Sequence, residues 1–538
     1  MGEERGGVAN PNDAGADGVP AAVAKRQPHG RFGKRRLALA GAAVCVALAG
    51  VVWALAPHGA RPHATATPTL TVRGALTGGG SCVRLGAHPT PPYANIQVTR
   101  DAALAHSEPD IAEDPANPAH LVGGSKYFTD LAHYRFQIGV VASFDGGCSW
   151  TDGGVLPGFP GDDLVSDPSF AYGPDGTVYA GVLYDATDPV SGDSTDSGLA
   201  VFASHDGGRS FGAPTRVLDD PGSAIFNDKP WIAVDQTRGA HRGTVYILWS
   251  YDTGGFCGDG NYCSQALGFS RSTDGGGAFS PVRDVEGQAP FCTNPATGRP
   301  AGSLRCDGAL GASPVVEPDG TLAVAYAYEN LMDSAQPTRL LVVSSPDGGA
   351  TWTAPVSVTS LRDTFGVIPP ANFRTVTLPA LAADPTTGQL YLAWTERRGA
   401  EDDIFLATST DTGASWSAPL QVNDDPAGRG ATHVQPRIAV APDGVVTVMF
   451  FDTRYDPRHI LVDVTIAQSL DHGRSLRPNQ RVTTVSFDPA TGAPTDEYGN
   501  RFLGDYQGLA VDNTFVHPLW NDTRTGSQQL FTAAVPSG

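Results

Sequence analysis

Hydrophobic and polar positions beyond residue 93 fall into a recurring pattern of strand, tight turn, strand. It appears as PSFAYGPDGTVYAGVLY from Pro168, PWIAVDQTRGAHRGTVYILW from Pro230, SPVVEPDGTLAVAYAY from Ser313, PALAADPTTGQLYLAW from Pro379 and PRIAVAPDGVVTVMFF from Pro436. In each, runs rich in Val, Ile, Tyr and Trp flank a Pro-Asp-Gly or equivalent turn, the signature of paired strands. A second motif alternates with these hairpins: SFDGGCSW from Ser143, SHDGGRSF from Ser204, STDGGGAF from Ser272, SPDGGATW from Ser345, STDTGASW from Ser409 and SLDHGRSL from Ser469. Its aspartates, Asp145, Asp206, Asp274, Asp347, Asp411 and Asp471, are 60 to 73 residues apart. That spacing fits four strands and their loops, so the repeat unit is a four-stranded antiparallel blade and the fold class is an all-β propeller.

After the sixth motif, GLAVDNTFVHPLWND from Gly508 and QQLFTAAV from Gln528 supply strands without a fourth partner. NIQVTRD from Asn95 resembles QVNDDP from Gln421, the outer strand after the fifth motif. The expectation is a seventh blade closed by one N-terminal and three C-terminal strands, which removes exposed sheet edges; six blades is the alternative.

The six S-x-D-x-G-x-x-aromatic segments, the last ending in Leu476, resemble the Asp-box (BNR) repeats of the sialidase superfamily, and the resemblance covers essentially all of the chain beyond residue 56. It implies that each box is the turn between the third and fourth strands of a blade. The residue types suit a structural role there. The Asp carboxylate accepts backbone N–H bonds, Gly permits positive φ and the aromatic ring packs between sheets.

Between Leu37 and Ala56 runs LALAGAAVCVALAGVVWALA, about 20 uncharged residues and long enough to cross a hydrocarbon core. Lys25, Arg26, Arg31, Lys34, Arg35 and Arg36 precede it, which puts the N-terminus in the cytoplasm and the bulk of the chain outside. The segment reads as a membrane anchor; a signal peptide cleaved after Ala54-Leu55-Ala56, or twin-arginine export through Arg35-Arg36, is the alternative. The domain reading is a disordered basic tail over 1–36, a transmembrane helix over 37–56, a stalk over 57–92 and the propeller over 93–538.

Composition sharpens this reading. The chain has 65 Gly, 43 Pro and 17% charged residues, which favours short strands over long helices. A net charge of -20 argues against nucleic acid, whose phosphates need a basic surface. Cations, neutral glycans or basic peptides remain open, with a glycan or cell-envelope ligand as the expected partner. Outside the apolar segment six cysteines stay, and an exported protein is expected to pair them. Local spacing favours Cys257 with Cys263 and Cys292 with Cys306, leaving Cys82 for Cys148, among 15 possible pairings.

In a meander of four strands, the boxes share one face with the turns joining first and second strands, so chemistry is expected on the opposite face. Loops there begin with acids, Asp185, Asp252, Glu329, Glu396, Asp452 and Asp522, and three continue into Arg397-Arg398, Arg454 and Arg524. An acid followed by arginine commonly holds its own loop. Arginine also grips a carboxylate through two parallel bonds. Arg374 and Arg437, at the starts of inner strands, point toward the central channel on this reading.

The family resemblance implies an arginine cluster for the carboxylate of sialic acid, a tyrosine nucleophile with a glutamate, and an aspartate acid/base. The catalytic candidates are Tyr506 in RFLGDYQGL, Glu396 and Asp452, with Tyr498 beside Glu497 as the other tyrosine. The substrate-binding candidates are Arg374, Arg437, Arg454 and Arg524. The chain departs from the family where an Arg-Ile-Pro motif belongs in the opening blade: it reads Glu108-Pro109-Asp110-Ile111, and Arg437-Ile438 supplies the nearest match in the sixth blade. No cofactor is expected, since no phosphate loop or Ser-His-Asp signature stands out. Asp162-Asp163, Asp402-Asp403 and Asn423-Asp424-Asp425 are acidic loops of a kind that binds Ca²⁺, although no EF-hand spacing or histidine ligand spacing accompanies them and solvated loop carboxylates are the simpler reading.

Overall fold

Valine, isoleucine and aromatic side chains fit a pleated surface, and here most of the strands they form pair in chain order into four-stranded antiparallel units; the first two units are joined by one parallel bridge, Phe136 to Leu164, and Gly366–Ile368 with Phe373–Thr375 makes a separate hairpin. The computed structural model describes residues 73–76 and 90–538, apart from 102, 132–133, 159–161, 188–193, 222–225, 258–260, 293–303, 330–336, 365 and 497–498. Among the described residues there is no helix, and none long and apolar enough to cross a membrane. The apolar segment 37–56 lies outside the described residues.

One sheet shows the plan: Ala309–Val316, Leu322–Tyr328, Thr338–Ser345 and Val356–Leu361 pair antiparallel in that order. Every residue of Leu322–Tyr328 is buried. A strand with one wet face alternates; this one is apolar throughout because its sheet is covered on both sides.

The inner strands are His106–Asp114, Asp162–Tyr172, Phe226–Val234, Ala309–Val316, Ala380–Ala383, His433–Val440 and Gly508–Val511. Each touches the next, and Gly508–Val511 touches His106–Asp114. The sheets therefore surround an axis, with a hydrophobic cluster in each gap. Val342, Leu392 and Trp394 share one such cluster; Ile111, Val141 and Leu519 share the one between the first sheet and the last. The last sheet takes its outer strand from the far end of the chain: Ile96 pairs with Thr532 and Gln97 with Phe531. Val98 N–H donates to Leu530 O at 2.8 Å, continuing that edge. Arg73–Leu76, within the stretch read as stalk, lies antiparallel on Trp150–Val155 at the edge of the first sheet.

The six S-x-D-x-G turns each join a third strand to a fourth and repeat one hydrogen-bond pattern. At the first, Ser143 Oγ donates to Asp145 Oδ1 (2.9 Å), Gly147 N–H to Ser143 Oγ (2.9 Å) and Ser149 N–H to Asp145 Oδ1 (2.8 Å). The second glycine of the turn has two reasons to be glycine. Gly349 has φ 88°, and a Cβ there would lie 2.1 Å from Phe269 in the neighbouring sheet. The aromatic that follows packs between sheets, as Trp150 does at 1% exposure. Asp145→Ala is expected to cost about 1–2 kcal/mol by removing charge-assisted bonds to the turn, measured by urea unfolding.

Cys292 and Cys306 are bonded, with Cα atoms 4.9 Å apart, as their spacing predicts. Cys148 is also in a disulfide. Cys82 and the side chains of Cys257 and Cys263 fall outside what the structure describes.

Candidate functional site

Four inner strands begin in the same uncommon way. Glu108, Asp167, Lys229 and Gln435 have left-handed φ of 54°, 54°, 50° and 55°, and each stands directly before a proline. Each also sits in a bulge, where pairing to the second strand slips between Ser107 and Asp110, Ser166 and Ser169, Asp228 and Trp231, and Val434 and Arg437. A bulge re-aims a side chain that the pleat would send elsewhere. Left-handed backbone costs on the order of 1–3 kcal/mol at a non-glycine residue, so four such positions mark a region that the surroundings over-determine.

The re-aimed side chains meet. Lys229 Nζ lies 2.8 Å from Asp505 Oδ2, 3.8 Å from Glu108 Oε1 and 3.9 Å from Asp167 Oδ2. These partners come from the inner strands of the first two sheets and the approach to the last. Lys126 Nζ reaches Glu108 Oε2 at 2.6 Å. Arg374 Nη2 donates to Asp505 Oδ2 at 2.6 Å, and its guanidinium covers the Phe502 ring at 4.5 Å. Because inner strands start on the face opposite the S-x-D-x-G turns, this network lies at that mouth of the channel.

Burial and neighbours split the carboxyls into two kinds. Burial, reinforced by Asp167, pushes Glu108 up to about 7 against the pull of Lys126 and Lys229. Burial likewise lifts Asp110 and Asp228 to about 6, opposed by Arg437 and Lys229 respectively. Asp505 is equally buried, but Arg374 and Lys229 outweigh that and hold it far below the usual carboxylate range. Asp167 is held low by Lys229 and Lys126 against its burial and shares a hydrogen bond with Glu108. One carboxyl that keeps its proton near neutrality thus sits beside others that stay ionised, the arrangement that assigns acid and base roles.

Beside this network is a small pocket bordered by Trp231, Ser313, Arg437 and Tyr506, with Lys229 and Asp505 at its edge. Its open volume is about 20 Å³, room for one water-sized group. Arg437 stacks on Trp231 at 4.2 Å and stands 3.6 Å from Asp110 Oδ1. Its Nε is buried with no hydrogen-bond partner, and the Tyr506 hydroxyl is too. Burial, with Asp167, Glu108, Asp110 and Asp505 nearby, raises Tyr506 well above the usual phenol range, so it keeps its proton.

Arg374, Arg437 and Tyr506 therefore meet at this network and its pocket, whereas the other sequence candidates are held by partners in their own loops. Arg454 bonds Asp452 Oδ2 at 2.6 Å, and its N–H donates to Asp452 Oδ1 at 2.8 Å. Arg524 does the same with Asp522, at 2.6 Å and 2.9 Å. Both Asp-Thr-Arg loops are closed by their own ion pair. Asp452 also faces His433 (3.4 Å), which Asp425 holds at 3.2 Å; although burial opposes it, Asp403, Asp425 and Asp452 raise this imidazole well above its usual value. Glu396 pairs with Arg398 at 3.1 Å. Of the acidic loops, Asp402 is bound by Arg397 (2.6 Å) and Asp425 by His433 and Arg454, so these carboxylates already have cationic partners. The side chains of Asp162 and Asp163, and the Glu497-Tyr498 pair, lie outside the described residues.

Glu108, Asp167, Lys229 and Lys126 were not singled out by motif. For Glu108, Asp167 and Lys229 the available signal was positional, a charged residue then proline in the inner strands; Lys126, in Asn117–Asp130, carries no such signal.

No family model matches the chain, and no curated protein matches it. Solved structures similar to it include a protein of unknown function from Dyadobacter fermentans DSM 18053, at 13% identity and TM-score 0.44, covering 84% of this chain and 100% of that one. The Hadza microbial sialidase Hz136 matches at 14% identity and TM-score 0.42, over 77% of this chain and 73% of that one. A leech intramolecular trans-sialidase, complexed with 2,7-anhydro-Neu5Ac, matches at 13% identity and TM-score 0.45, over 71% and 70%.

Proposed function

We propose that this protein is a seven-bladed, sialidase-like propeller that processes acidic glycans at the channel mouth. The inner strands in ring contact support the blade number. One observation carries the function: Arg437 Nε–H and the Tyr506 O–H are two buried donors without acceptors that border the same pocket. Two stranded donors, one of them cationic, suit an anionic oxygen such as the carboxylate of a sialic or uronic acid. On this reading Glu108, protonated near neutral pH and bonded to Asp167, is the general acid toward the glycosidic oxygen. Asp505 stays ionised to stabilise positive charge developing on the sugar ring. Tyr506 binds as a donor, since its raised phenol does not supply a ready nucleophile. With residues 37–56 as an anchor, the substrate is glycan outside the cell.

The test is turnover of fluorogenic sialosides and uronides by the purified protein. Glu108→Gln is expected to lower kcat about 10²- to 10⁴-fold. Arg437→Ala and Tyr506→Phe are expected to lower kcat/KM about 10- to 100-fold through weaker carboxylate binding. No turnover by the folded protein, together with no retention of acidic glycans on an array, overturns the reading.

One feature favours a second reading, a propeller that binds without catalysis. A pocket of about 20 Å³ admits a single polar group and not a sugar ring. Binding on the array without turnover selects this alternative.

A further inference from the structure

On the opposite face, at the seam between the first sheet and the last, three ligand-type side chains converge. Glu113, near the end of His106–Asp114, Asp512, just after Gly508–Val511, and His517, in Phe515–Asp522, bring two carboxylate oxygens and a ring nitrogen within 4.8 Å of one another. His517 is 1% exposed, and its Nε2 has no hydrogen-bond partner. Glu113 Oε2 is also buried without one. Among the described residues neither carboxylate is paired with a lysine or arginine. Asp512 is fixed in place because its Oδ1 accepts the Thr514 and Phe515 N–H groups, the latter at 2.6 Å, which leaves its second oxygen free.

A buried carboxylate oxygen without a cationic partner is costly, and a buried imidazole beside two such groups has the donor set of a metal ligand. We propose that Glu113, Asp512 and His517 form a binding site for one divalent transition-metal ion of the zinc class. The imidazole selects against Ca²⁺ and Mg²⁺, which take all-oxygen sets. An ion about 2.1 Å from each donor requires the three atoms to lie within about 4.2 Å of one another, close to the 4.8 Å within which they are gathered. Water fills the remaining positions. The ion clasps the first sheet to the last. Motif spacing conceals the site because its residues come from positions 113, 512 and 517.

The experiment uses tag-free protein stripped with a chelator and then given Zn²⁺, Co²⁺ or Ca²⁺. Expected are one Zn²⁺ retained per chain, a rise in Tm of at least about 3 °C, and visible d–d absorption from Co²⁺. Glu113→Gln, which keeps the shape and removes a ligating carboxylate, is expected to fold with unchanged circular dichroism and to lose all three effects; His517→Ala is the second variant. Zn²⁺ retention unchanged in Glu113→Gln overturns the proposal. So does the absence of any Zn²⁺ effect on wild type, or stabilisation by Ca²⁺ alone. None of these outcomes depends on glycan turnover.

Discussion

Lys229→Met is expected to cost at least about 3 kcal/mol of stability, because it strips the shared cation from a set of buried carboxylates. The side chain is 7% exposed and stands 2.8 to 3.9 Å from oxygens of Asp505, Glu108 and Asp167. Methionine fills much of the same volume and leaves the charges uncompensated, so the loss is electrostatic and not a cavity effect. Arg374 still holds Asp505 at 2.6 Å, whereas Glu108 and Asp167 keep only Lys126. The double variant Lys229→Met/Asp505→Asn is expected to be less destabilised than the sum of the two single changes, since each removes a charge that strands the other. Urea unfolding of the four proteins measures the coupling. A Lys229→Met protein within about 1 kcal/mol of wild type would mean that the surrounding acids are neutral and the network is not ionic.

Thermal stability is expected to fall as pH rises from about 5 to 8, against the common pattern. Glu108 and Glu286 are raised by burial from a usual value of 4.5 to about 7, with Asp167 adding to the first. Asp110 and Asp228 rise from 3.8 to about 6, again through burial. Between the unfolded and folded values the folded protein binds more protons, so stability is fully present below about pH 4 and is lost as pH climbs through 6 to 7. Displacing the titration of one carboxyl by a full pH unit corresponds to about 1.4 kcal/mol, so the four groups together amount to several kcal/mol. Asp505 acts in the other direction only in strong acid, below the window of interest, whereas His517, which burial lowers to about 4, offsets part of the fall between about pH 4 and 6.5. Melting curves at fixed ionic strength from pH 5 to 8 test this. A flat or rising Tm would show that these carboxyls are ionised throughout.

The sequence disclosed what is local. The S-x-D-x-G turns were legible because Ser143, Asp145 and Gly147 satisfy one another within five residues, and their period revealed the sheet. The Asp-Thr-Arg loops were legible as ion pairs for the same reason. Arg437 was found because its place in an inner strand implies the channel, and Arg374 because it precedes one, although it stands in a separate hairpin, Phe373–Thr375 on Gly366–Ile368. Glu108, Asp167 and Lys229 were not, since regular strand alternation does not send them there. Their direction comes from bulges with left-handed backbone, and the residue before a proline ordinarily favours extended conformations. The Glu113, Asp512 and His517 cluster was hidden more deeply, because only closure of the ring makes its residues neighbours.

That closure also sets a schedule for folding. Ile96 and Gln97 are synthesised some 430 residues ahead of their partners, as the bond between Thr99 and Gln529 spans 430 positions. At cellular rates of elongation, the early strand waits on the order of tens of seconds for an edge to pair with. During that wait the first sheet lacks the last sheet as its neighbour, and its apolar face at Ile111 and Val141 is open to other chains. Two chains refolding together at high concentration can exchange these early strands, each completing the other's final sheet.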